Sequence, residues 1–186
     1  MSTNVTQSAV IQAPIEKVWE LLRPLDFKFL PTVEKVEPEG KGFPATVGTV
    51  FSIRYKDSTV QKIKLMGLSD ISHTLTYDVI ESQPAVKYSS ALHTIQLKRV
   101  SMGNNTFMTW TTDFSKDAGQ DVLQDSKYKK LEAFKSLHAF VMGSKSIAFY
   151  RQLSEPTRFP SNTSSNSDGK KDMLKGDSPD SRVSLD

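Results

Sequence analysis

The side chains with chemistry of their own are few: three histidines (His73, His93 and His138), five tyrosines, two tryptophans and no cysteine in 186 residues. His93 falls between Ala91 and Ile95 in a run of alternating character, and period two sends all three side chains to one face of a strand. There an imidazole can hydrogen-bond a ligand carbonyl or pass a proton. The competing role is that of a structural histidine, and a bulge would turn it outward. Tyr77 shares a face with Leu75 and Val79. Its phenol either anchors a ligand or finds a backbone partner within a packed core. His138 and Lys145 flank Phe134 and Val141 on the inner side of a long helical stretch. One of them reaches a pocket or its rim, or both lie at the solvent edge of the stripe, since burying Lys145 unpaired is costly. Trp110 reads as a wall or core aromatic, with Met66 and Met108 as adaptable lining.

Other chemistries lack their residues. Without cysteine there is no disulfide framework, thiolate metal site or thiol nucleophile. No pair of carboxylates stands on an apolar strand face, and the three histidines do not form a ligand pattern. Neither a Ser/His/Asp signature nor a nucleophile elbow is present. The expectation is therefore no catalytic residue, no metal and no cofactor.

The elements that must position these residues follow from periodicity. Val5–Gln12 alternates, and Pro14 suits the first turn of a helix, where its missing N–H would be unpaired anyway. Ile15, Val18, Trp19 and Leu22 then recur at helical spacing until Pro24 ends the helix. Asp26 is placed to cap a second short helix over Phe27–Leu30, closed by Pro31. From Val33 the period turns to two, with strands predicted at 33–38, 47–57, 60–69, 74–82, 88–100 and 105–116 between turn residues such as Lys56-Asp57-Ser58 and Gly103-Asn104-Asn105. Met108, Trp110, Thr112 and Phe114 share one face of the last strand. Gln120–Leu153 reads as one long helix with Leu131, Phe134, Leu137, Val141 and Ala148 on one side and Glu132, Ser136, Ala139 and Ser146 on the other. All the strands can pair as sequence neighbours without a parallel crossover. The fold class is thus α+β, a curved antiparallel sheet of about seven strands around a long C-terminal helix, with two short helices after the first strand. Such a sheet closed by one helix tends to enclose more volume than the side chains fill.

The remaining chain bounds the function. Residues 4–153 form the folded domain. From 154 to 186 prolines, glycines, serines and charges replace apolar residues, the composition of a disordered tail that is open to phosphorylation and to a protein partner. The net charge of +3 is spread along the chain rather than gathered into a block, so nucleic acid is not an expected partner. Met1–Ser8 lacks a signal-peptide pattern and no apolar run reaches a membrane span, which points to a cytoplasmic protein without an integral membrane segment.

Taken in order, Ala13-Pro14-Ile15-Glu16-Lys17-Val18-Trp19, Val33-Glu34-Lys35-Val36-Glu37, Val47-Gly48-Thr49-Val50, Leu75-Thr76-Tyr77-Asp78-Val79-Ile80-Glu81 and Thr106-Phe107-Met108-Thr109-Trp110 resemble the START-like superfamily. That superfamily, also called SRPBCC, includes the polyketide cyclases/dehydrases and the birch-pollen-allergen-like proteins. The resemblance implies a helix-grip fold whose cavity takes lipids, sterols, polyketides, flavonoids or hormones, for transport, sensing or cyclase/dehydratase chemistry. Glu37-Pro38-Glu39-Gly40-Lys41-Gly42 stands where the allergen branch has a glycine-rich loop, but its acidic residues and lack of a following helix make it a strand connection. Glu81-Ser82-Gln83-Pro84-Ala85 does not reproduce the gate motifs of the abscisic-acid receptors. The leading expectation is a binder or carrier of a small hydrophobic molecule. Phe27, Leu30, Tyr77, Trp110, Phe134 and Val141 would form the wall, with Tyr77, His93 and His138 as polar contacts. The alternatives are a cyclase/dehydratase using His93 or Tyr77 as general acid/base, and a ligand-sensing regulatory module working through the tail.

Overall fold

In a computed structural model the chain divides into two units, Met1–Ser154 and Glu155–Asp186. Residues 3–40 and 46–154 are described, with side chains to 143. The tail, residues 41–45 of the β2–β3 connection, Lys145, Ser146 and Ala148 lie outside the described side chains.

The first unit runs β1 (Asn4–Ile11), α1 (Ile15–Leu22), β2 (Val33–Glu39), β3 (Val50–Tyr55), β4 (Val60–Ser69), β5 (Thr74–Gln83), β6 (Ala91–Val100), β7 (Asn105–Phe114) and α2 (Gln120–Ser154). Its seven strands make one antiparallel sheet in the order β1-β7-β6-β5-β4-β3-β2. β2 to β7 form a meander, and β1 closes on the last strand from the far side. This is the expected helix-grip arrangement, with most element bounds within a few residues of those predicted.

Alternation sets the core. Phe51, Ile53, Ile63, Leu65, Leu75, Tyr77, Ile95, Leu97, Met108 and Trp110 face inward and are buried with Val18, Trp19 and Leu22 of α1 and Phe134, Leu137 and Val141 of α2. Pro14 occupies the N-cap of α1, and Thr106 Oγ1 donates to the buried Ala13 carbonyl at 2.7 Å, fixing the β1–α1 corner on β7. At the other end of α1, Asp70 in the β4–β5 turn accepts from Trp19 Nε1 at 2.8 Å and from both Arg23 Nε and Nη2, at 2.7 and 3.1 Å. One carboxylate thereby ties the helix to the sheet.

Three expectations change. Phe27–Leu30 is turned rather than helical: Leu25 and Phe27 have φ of 55° and 47°, incompatible with a right-handed helix. Asp26 accepts Lys28 N–H at 3.2 Å in a local turn instead of capping. On α2 the inward row is Lys130, Ala133, Phe134, Leu137 and Val141, while Leu131 is exposed. The helix is rotated so that the row 130, 134, 137, 141 faces the sheet at helical spacing. Met66 is exposed beside the irregular pairing between Leu65 and Gly67, and Met108 is core.

Candidate functional site

β5, β6 and β7 place Tyr77, His93 and Thr112 directly opposite one another, one row across three strands. The register of β6 against β7 is continuous from Ala91 to Val100, so no bulge turns His93 away and it faces inward with Ala91 and Ile95. The rings of Tyr77 and His93 stack in parallel with centroids 4.7 Å apart. His93 Nδ1 and Thr112 Oγ1 share a hydrogen bond of 2.9 Å, with the donor set by the histidine tautomer. Phe27 meets the Tyr77 ring edge-on at 6.0 Å, an approach that the turned 25–30 segment allows.

This row lines a cavity of about 790 Å³ between the sheet and the first half of α2. Ile53, Ile63 and Val79 give it apolar walls from β3, β4 and β5. Leu30 and Pro31 close one side, and Trp110 and Phe114 continue the wall along β7. Phe134 packs edge-on behind Trp110, centroids 6.5 Å apart. The mouth lies between the β3–β4 hairpin, with Asp57 and Thr59, and the exposed Tyr128 and Lys129 of α2. Asp57 accepts Thr59 N–H at 2.9 Å, which lowers its carboxyl pKa, and Lys129 pulls it in the same direction. A smaller recess of about 280 Å³, lined also by Lys87 and Asp121, shares Gln61, Tyr88, Val122, Asp125 and Lys129 with the cavity.

Burial dominates the electrostatics. It pushes the His93 pKa down to about 3, helped by the positive charge of Lys130, so the imidazole is neutral at physiological pH. It holds the Tyr77 phenol well above its ordinary value, against the opposing pull of the Trp110 indole N–H. Trp110 Nε1 makes no regular hydrogen bond to that phenol: it is a buried polar atom without a hydrogen-bond partner. Tyr55, whose hydroxyl donates to Gln61 Oε1 at 3.2 Å, is pushed up to about 12, again mainly by burial. Lys130 is 3% exposed and lines the cavity. Burial lowers its pKa to about 8. The inner part of the cavity therefore presents neutral, proton-bearing polar groups and the buried Lys130 on an apolar surface, while the other charged lining residues, Lys56, Asp57, Asp125, Lys129 and Glu132, are exposed or half-buried. Among the described residues no cluster of three or more His, Cys, Asp or Glu is arranged to hold a metal ion.

Residues 2–134 match the family of polyketide cyclase / dehydrase and lipid transport proteins. The chain belongs to that family. Its fold is similar to that of XoxI from Bacillus cereus (TM-score 0.66, 18% identity, covering 78% of this chain and 99% of that one). It is also similar to Ara h 8.0201 (0.61, 20%, 75% and 97%) and to major latex-like protein 151 of Panax ginseng (0.60, 14%, 74% and 95%). At such identities the likeness is one of fold; together with the family match it bears out the START-like, birch-pollen-allergen-like resemblance. No curated protein matches the sequence. Membership of a family described by cyclase/dehydrase and lipid transport activities is consistent with binding hydrophobic ligands.

In this member of the family, five of the residues singled out by sequence meet at the cavity: Phe27, Leu30, Tyr77, His93 and Trp110. Phe134 and Val141 are buried in the core without lining it, and the half-buried His138 lies outside the lining. Lys130 escaped the sequence reading. It sits four residues before Phe134 and seven before Leu137, positions on one helix face, but its charge hid it among the surface lysines around it. Among the described residues no helix is long and apolar enough to cross a membrane.

Proposed function

We propose that this protein binds and carries a small, mainly apolar molecule in the cavity between the sheet and α2, with Tyr77 and His93 as polar anchors and no chemical change to the cargo. The observation that carries the reading is the cavity itself. Its volume of about 790 Å³ lies in the range of small-molecule sites, and its apolar walls converge on a few polar groups, the usual build of such a site. A cargo hiding roughly 300 Å² of apolar surface would gain about 7 kcal/mol before ordering costs, so a micromolar affinity also needs the polar anchors or a larger buried area.

Carriage is favoured over cyclase or dehydratase chemistry by the state of the two candidate acid/base groups. Such catalysis works best with a pKa near the operating pH. His93 is held neutral down to about 3 and Tyr77 is held protonated far above neutrality. Both are suited to donate or accept a hydrogen bond and ill suited to exchange a proton.

Native mass spectrometry of protein isolated from its own cells tests this directly. The expected result is a complex with one small molecule, together with a raised melting temperature for at least one class in a panel of lipids, sterols and polyketides. Apo protein alone, with no thermal shift across the panel, would overturn the proposal.

A further inference from the structure

We infer that the cargo carries one anionic group, such as a carboxylate, on its apolar body, and that Lys130 is the residue that receives it. This rests on the cavity being a binding site.

Lys130 occupies the inward row of α2 where a leucine or methionine would fill the stripe, and it is 3% exposed. Its Nζ donates to Ser126 Oγ, one turn earlier, at 2.5 Å, which uses one of three N–H bonds. Other lysines of the same region have carboxylate partners: Lys129 on Asp125 at 2.7 Å, Lys135 on Glu132 at 2.8 Å and Lys87 on Asp121 at 3.0 Å. Among the described residues no carboxylate lies within ion-pair distance of Lys130. A pKa of about 8, lowered by burial with no opposing attraction, still leaves the side chain mostly charged at neutral pH. Taking an unpaired ammonium out of water costs several kcal/mol, and among the described residues no carboxylate within ion-pair distance offsets that cost.

A purely hydrocarbon cargo would leave the Lys130 ammonium without a counter-charge. An anionic oxygen terminus answers the ammonium with a charge-assisted hydrogen bond. The acidic residues of the lining, Asp57, Asp125 and Glu132, belong to the mouth and the outer part of α2 and are exposed or half-buried. They leave Lys130 as the buried charge.

The test uses a fluorescent reporter of apolar sites, N-phenyl-1-naphthylamine, displaced at pH 7 by dodecanoate or by dodecan-1-ol below their aggregation limits. The full chain should bind the reporter, and dodecanoate should displace it at least tenfold more tightly than the alcohol of equal length. Lys130→Met should lose that preference, with its fold verified by circular dichroism, while Lys127→Met, an exposed lysine off the cavity, should keep it. Reporter binding with equal displacement by the two probes would overturn the anionic assignment and leave the container standing. A preference that survives Lys130→Met would overturn the role of that residue. Failure to bind the reporter or either probe would overturn the container and this inference together.

Discussion

His93 is neutral in the folded protein under conditions where an unfolded chain would protonate it. Its pKa falls from an ordinary 6.5 to about 3 on folding, mainly through burial. As pH drops through 6.5 the unfolded state takes up a proton that the folded state refuses, so stability contributed by the neutral imidazole is lost between about 6.5 and 3. Between pH 7 and pH 4.5 the loss should be about 2 kcal/mol. Urea denaturation of wild type and His93→Gln at these two pH values isolates it, because the carboxylates titrate alike in both. The wild type should lose more stability than the variant, and equal losses would contradict a histidine that folding holds neutral. At this scale the sequence was informative wherever a side chain sits in regular alternation. Tyr77, His93, Trp110 and Thr112 were all placed on inward faces by period two. It was silent on Lys130, because residue type and helical position point opposite ways there and only the rotation of α2 decides between them.

The orientation of α2 decides how much of the cavity the helix covers. Leu137 is fully buried against the sheet, whereas Leu131 is exposed. Leu137→Ala should therefore cost about 3 kcal/mol of unfolding free energy and Leu131→Ala less than about 0.5 kcal/mol. Comparable costs in urea titrations would mean that the helix presents another face. Period 3.6 located α2 to within a residue at each end, yet the apolar positions left two faces open. Leu131 and Phe134 lie three apart, as do Phe134 and Leu137, so counting alone admits either edge of the stripe. The turn at Leu25–Phe27 was illegible for a different reason. Two bulky residues take positive φ there, a conformation that tertiary packing imposes and local sequence does not announce. That turn is also what brings Phe27 onto Tyr77.

For the whole molecule, sheet order and enclosure were legible because a meander leaves few alternatives: neighbours in sequence become neighbours in space. Cavity volume was not, since it depends on the distance at which α2 rides over the curved sheet. The central claim is that this space is where the cargo sits, and filling it tests the claim most directly. Ala133 is buried on the cavity side of α2, and Val79 lines the opposite wall on β5. N-phenyl-1-naphthylamine should bind the wild type at one molecule per chain and should bind at least tenfold more weakly to Ala133→Phe and to Val79→Phe, each shown to be folded by circular dichroism. Undiminished binding to both folded variants would contradict the account.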